Sequence, residues 1–77
     1  MKMTIRYFPS AAQGRRKSIV SDEIELPFKA HRVHTVADLF LHLPHLESKY
    51  KVCRGITFLT KDDEIQHDDS LNAIPID

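Results

Sequence analysis

One stripe of helix period, set beside blocks of strand period, limits this chain more than any other feature of its sequence. Val36, Leu39, Phe40 and Leu43 stand at i, i+3, i+4 and i+7, one apolar face of an α-helix. Before them Met3, Ile5 and Tyr7 alternate with Lys2, Thr4 and Arg6, and Val20, Asp22, Ile24 and Leu26 alternate with Ser21, Glu23 and Glu25. That is the period of two expected of half-buried strands. A chain of 77 residues has no room for a second core, so the stripe and the alternating blocks must bury one another. The expectation is a single α+β domain over residues 1–77, with one main helix packed across one face of a mixed sheet.

Local chemistry sets the boundaries. Pro9, Ser10, Gly14 and the run Arg15-Arg16-Lys17 form a polar, turn-prone stretch after the first strand, and the second strand is predicted from about Ser18 to Pro27. Asp22 falls on its apolar face, near the start, where an edge position or a bulge would leave it wet. Thr35 is placed to cap the helix, with Asp38 reaching back from three residues on. The helix is predicted to end near Leu43, because Pro44 disfavours helical geometry in the residue before it. Leu46 and Tyr50, four apart, predict a short further turn of helix. Ile56 to Leu59 is β-rich and is followed by the polar turn Lys61 to Glu64 and a return strand at Ile65. The predicted order is β-β-α-β-β. Its in-phase core is Ile5, Tyr7, Ile24, Leu26, Val36, Leu39, Phe40, Leu43, Phe58 and Ile65.

Composition removes several classes of function. Eleven basic and eleven acidic side chains cancel, so no global field draws the chain to nucleic acid or an anionic membrane. No apolar run approaches a membrane span, and the N-terminus alternates where a signal peptide would be continuously apolar; the expected location is cytoplasmic. A single cysteine, Cys53, excludes an intrachain disulfide, a four-cysteine zinc site and a cysteine-ligated iron–sulfur cluster. His31 with His34, and His42 with His45, have the spacing of paired metal ligands. The first pair lies in a loop and Pro44 splits the second, so surface histidines are the better reading. Asp62-Asp63 and Asp68-Asp69 read as solvated turn residues, and Cys53 has no base beside it in sequence. No cofactor, metal or catalytic residue is expected.

The pieces MTIRYFPSAAQ, EIELP, TVADLFLHL and ITFLTKDDEI followed by DDSL span roughly residues 2–71. In this order they resemble the small sulfur-carrier family that includes the molybdopterin synthase small subunit and the thiamine sulfur carrier. The resemblance implies a β-grasp, ubiquitin-like fold. Carrier chemistry in that family uses a C-terminal Gly-Gly whose carboxylate is adenylated and converted to a thiocarboxylate. Here the glycines are at 14 and 55 and the sequence closes Asn72-Ala73-Ile74-Pro75-Ile76-Asp77.

The expected function is therefore a non-catalytic protein-interaction module with a carrier-like fold. The alternative is a sulfur carrier or molybdopterin synthase small subunit with its tail missing or replaced. A third reading has the basic loop Arg15 to Lys17, with Lys49, Lys51 and Arg54, bind nucleic acid or phosphate. The segment after Ser70 is short and holds Pro75, which predicts an abbreviated last strand and an open edge along the first. The residues expected at the partner surface are Met3, Ile5, Tyr7, Phe8, Arg15, Arg16, Lys17, Ile74 and Ile76. Their occupant would be another protein, or a second copy adding a strand.

Overall fold

The computed structural model describes residues 1–10, 18–29 and 32–76. The chain is a small α+β domain with a mixed five-stranded sheet and two helices, an arrangement compatible with a β-grasp-like fold. In chain order the elements are β1 (Lys2–Tyr7), β2 (Val20–Glu25), β3 (His34–Thr35), α1 (Val36–His42), α2 (Pro44–Lys49), β4 (Tyr50–Arg54), β5 (Thr57–Phe58), β6 (Glu64–Ile65) and β7 (Asp69–Pro75). The main sheet runs β2-β1-β7-β4-β5, and β3 pairs with β6 in a separate two-stranded ladder.

The largest departure from expectation is β7. It has seven residues, lies in the middle of the sheet and pairs parallel with β1 from Met3↔Asp69 to Tyr7↔Ala73. On its other side it pairs antiparallel with β4 from Tyr50↔Pro75 to Cys53↔Asn72. Pro75 is tolerated because it is the strand's last residue. The Ile76 N–H donates to the Lys49 carbonyl at 3.0 Å. By alternation the nitrogen of Pro75 then faces the β1 side, where β1 has already ended at Tyr7. The missing N–H falls just past the last bond of that ladder, from the Phe8 N–H to the Ala73 carbonyl at 3.0 Å. The expected abbreviated last strand is thus corrected, and so is the open edge along β1, which pairs with β2 on one side and β7 on the other.

α1 begins and ends as its sequence dictates. Thr35 is extended at the N-cap, and its backbone N–H donates to Asp38 Oδ2 at 3.1 Å. The amides of Val36 and Ala37 donate to the carbonyls of Asp63 and Lys61 at 2.9 and 3.1 Å, so a distant turn satisfies donors that the helix leaves orphaned. Pro44 opens α2, where a missing N–H costs nothing. The predicted further turn is this helix, with Leu46 buried inside it.

Tyr50 does not continue the helix. Its backbone is extended (φ −135°, ψ 158°), and it starts β4 instead. The β4–β5 hairpin closes Arg54 against Thr57 through Gly55-Ile56, with Gly55 at φ +63°. Glycine at the first central position is what such a two-residue turn demands, since φ is left-handed there. Ile65 accordingly pairs with His34 in the small ladder and not with the 56–59 segment.

The core lies between the sheet and the two helices. Ile5, Val36, Leu39, Leu46, Leu71 and Ala73 are fully buried; Met3, Leu26, Val52 and Ile65 are nearly so. Tyr7, Ile24, Phe40 and Leu43 pack against this cluster partly buried. Phe58, expected inside, is 62% exposed. Its register with Cys53 puts it on the outer sheet face, away from the helices.

Candidate protein-binding edges

The register assigns every strand residue to a face. Lys2, Thr4 and Arg6 of β1 lie beside Glu25, Glu23 and Ser21 of β2 on the outer face, with Ser70, Asn72 and Ile74 of β7 and Lys51 and Cys53 of β4 continuing it. Arg6 Nε donates to Asn72 Oδ1 at 3.1 Å, and Asn72 Nδ2 to the Gly55 carbonyl at 3.3 Å, so the middle of this face is tied by polar side chains. Cys53 is buried, and burial pushes its thiol up, away from the thiolate a nucleophile requires.

Two edges remain. On one side β2 presents six residues whose partner, among the described residues, lies on one flank only, and Asp22, Glu23 and Glu25 make this edge acidic. On the other side β5 covers only the end of β4, leaving Tyr50 and Lys51 beyond its ladder. The space beside them is a groove of about 440 Å³ running between the sheet edge and the helices, floored by Phe40, Tyr50, Val52, Leu59 and Ile76. Phe58, Lys51, Lys61 and Glu47 form its walls. Lys61 pairs with Glu47, and Lys51 Nζ lies 5.7 Å from the Phe58 ring centroid, within reach of a cation–π contact. Of the strongly exposed apolar residues, Phe58 (62%) and Ile76 (52%) line this groove, and Ile56 (98%) stands in the β4–β5 turn at the far end of β4.

The residues expected at the partner surface are dispersed. Met3 and Ile5 are core residues, and β1, which carries them, is an interior strand. Ile74 is half-buried on the outer face. Phe8 and Ile76 come together, with Ser48, Lys49 and Pro75, around a hollow of about 300 Å³ next to the groove. Arg15, Arg16, Lys17 and His31 lie outside the described residues. Arg54 is held by Asp69.

No protein family, curated protein or solved structure matches this chain. No helix among the described residues is long and apolar enough to cross a membrane.

Three of the described histidines, His34, His42 and His45, serve aromatic packing. His34 stacks on Phe28 at 4.2 Å between ring centroids, and His42 meets the same ring edge-on at 5.0 Å. His45 shares a 2.9 Å hydrogen bond with the Tyr7 hydroxyl, and Tyr50 packs edge-on to Tyr7. Burial, then the charges of Asp22 and Tyr50, push the Tyr7 phenol above its ordinary value of 10.0. Folding thus favours the neutral phenol. Its contribution is complete below pH 10.0 and is lost as pH rises through the higher folded value. Tyr7→Phe is expected to cost about 1 kcal/mol at neutral pH through the lost hydrogen bond. It should also flatten the alkaline fall in stability, read as denaturant midpoints on either side of pH 10.0. An unchanged alkaline slope would assign that fall to other groups.

Proposed function

We propose that this chain is a non-catalytic, β-grasp, ubiquitin-like interaction module that binds a partner protein at the β4–β5 edge. The observation that carries this reading is that Phe58 and Ile76, each more than half exposed, both line one apolar groove. Large apolar side chains scattered singly need no explanation, but a contiguous set rimmed by charge marks a binding surface. An edge with unpaired backbone beside apolar pockets suits an added extended segment, in which main-chain hydrogen bonds give affinity and the pockets give selectivity. The central β7, parallel to β1 with both helices on one face, supports the carrier-like scaffold that the sequence resembles.

The alternative is a sulfur carrier or molybdopterin synthase small subunit. It is favoured by one feature: β7 delivers the chain from the middle of the sheet to the exposed Ile76, the place from which a functional tail would extend.

Tagged chain and its Phe58→Asp variant, used to capture partners from the native host and read by intact mass, test both readings. The wild type is expected to retain a partner that Phe58→Asp loses by roughly tenfold or more, the loss expected of an aromatic anchor. Equal capture by the two proteins would remove the β4–β5 edge as the binding surface. A C-terminal adenylate or thiocarboxylate in the recovered chain would replace the module reading with the carrier one.

A further inference from the structure

The two exposed edges of the main sheet complement each other. β2 carries Asp22, Glu23 and Glu25, whereas the opposite edge carries Lys51, and Lys61 paired with Glu47, beside exposed apolar groups. The geometry points to a second copy of this chain as the occupant of the β4–β5 edge, with β2 of one copy laid along β5 of the next. This rests on the reading of the β4–β5 edge as a binding surface and names its partner.

Strand direction permits the contact without distortion. β2 is antiparallel to β1, β1 parallel to β7, β7 antiparallel to β4, and β4 antiparallel to β5. β2 and β5 therefore run in opposite directions. A copy displaced sideways in the same orientation brings its β2 antiparallel to β5 of its neighbour, the pairing with perpendicular hydrogen bonds.

The faces match as well. Glu23 lies on the outer face of β2, where Lys51 and Phe58 lie on the outer face of the receiving edge. Val20 and Asp22 lie on the inner face, which meets the apolar groove and Lys61. Val20, 61% exposed in the single chain, gains a place to bury. Symmetric alternatives fare worse. Two β2 strands paired about a two-fold would set carboxylates opposite carboxylates, which destabilises a ladder. Two β5 strands offer two residues on each side, against six on one side when β2 is laid along β5. The contact is head-to-tail, and such contacts extend into rings or open chains of subunits.

Charge reversal and its rescue test this directly by analytical ultracentrifugation from low micromolar to millimolar concentration. The wild type should self-associate, more weakly at high salt because surface charge pairs are screened. Asp22→Lys/Glu23→Lys, with two basic edges, and Lys51→Glu/Lys61→Glu, with two acidic ones, should each associate more weakly by roughly tenfold or more. An equimolar mixture of the two variants restores both complementary contacts and should associate as the wild type does. A wild type that is monomeric throughout, variants that associate unchanged, or a mixture that stays monomeric would each overturn the inference. The capture experiment with Phe58→Asp is independent: a foreign partner lost on that change, from a chain that never self-associates, leaves the module reading standing and removes only this one.

Discussion

Leu39→Ala is expected to destabilise the domain by about 2–5 kcal/mol, the cost of a cavity where a buried leucine stood. Leu39 is fully buried at the centre of the cluster that joins α1 to Ile5 of β1 and Leu71 of β7. A domain of 77 residues has a total stability of roughly 4–12 kcal/mol at typical values per residue. One cavity therefore consumes a large share. Each kcal/mol moves the melting temperature of so small a domain by about 4–8 °C, so thermal denaturation followed by circular dichroism should show a fall on the order of 10 °C or more. Leu41 lies on the opposite side of the same helix and is exposed. Leu41→Ala should change stability by no more than about 0.5 kcal/mol. Equal melting temperatures for wild type and Leu39→Ala would mean that the helix register is wrong.

That contrast of 39 with 41 is legible in the residues alone, because the stripe in α1 is regular and its two ends carry strong local signals. β1 and β2 are legible for the same reason: one face of each is buried by the pattern itself. β4 is hidden. Tyr50 stands four residues from Leu46 and so continues a helical spacing, yet Tyr50 and Val52 face the core at period two. Gly55 is the available clue, since Gly-X between two β-prone segments signals a hairpin. As a turn it joins Tyr50–Arg54 to Thr57–Phe58 and puts Phe58 at the edge. At β7 the local pattern misleads, because Pro75 has the look of an interruption in a strand that it only terminates. The register of β7 also starts earlier than the apolar residues suggest, at Asp69. With β7 in place β1 has no free edge, so the binding surface moves to the far side of the sheet. Among the described residues expected there, Ile76 alone lines the groove, and its neighbours come from segments whose closeness depends on long-range pairing that no local pattern encodes.

Asp69 is where that central strand is fastened, and Asp69→Ala is expected to cost about 1.5–3 kcal/mol, the range for hydrogen bonds to a charged group. Its carboxylate accepts from Arg54 Nε at 3.1 Å and Nη2 at 2.7 Å, a two-pronged pair that joins β4 to the start of β7. Asp69 Oδ2 also accepts the Gln66 N–H at 2.9 Å, closing the turn before the strand. Arg54 Nη2 reaches the Glu64 carbonyl at 3.0 Å as well, which ties β6 to the same guanidinium. One carboxylate thus holds the turn that delivers Asp68, at φ +64°, to its 2.7 Å hydrogen bond with the Lys2 carbonyl of β1. The Asp69 side chain is 13% exposed but Arg54 is 43% exposed, so water screens part of the attraction and the lower half of the range applies. The hydrogen bond to Asp69 is the main reason the Arg54 guanidinium is pushed up, and burial opposes it only in part. Asp69→Asn keeps an acceptor for Gln66 and should lose less than Asp69→Ala. Arg54→Met, combined with Asp69→Ala, should show a coupling on the order of 1 kcal/mol, and amide exchange should quicken first at the Asp69 end of β7. If Asp69→Ala melts with the wild type and the double change is additive, the pair contributes nothing and β7 is held by its ladders alone.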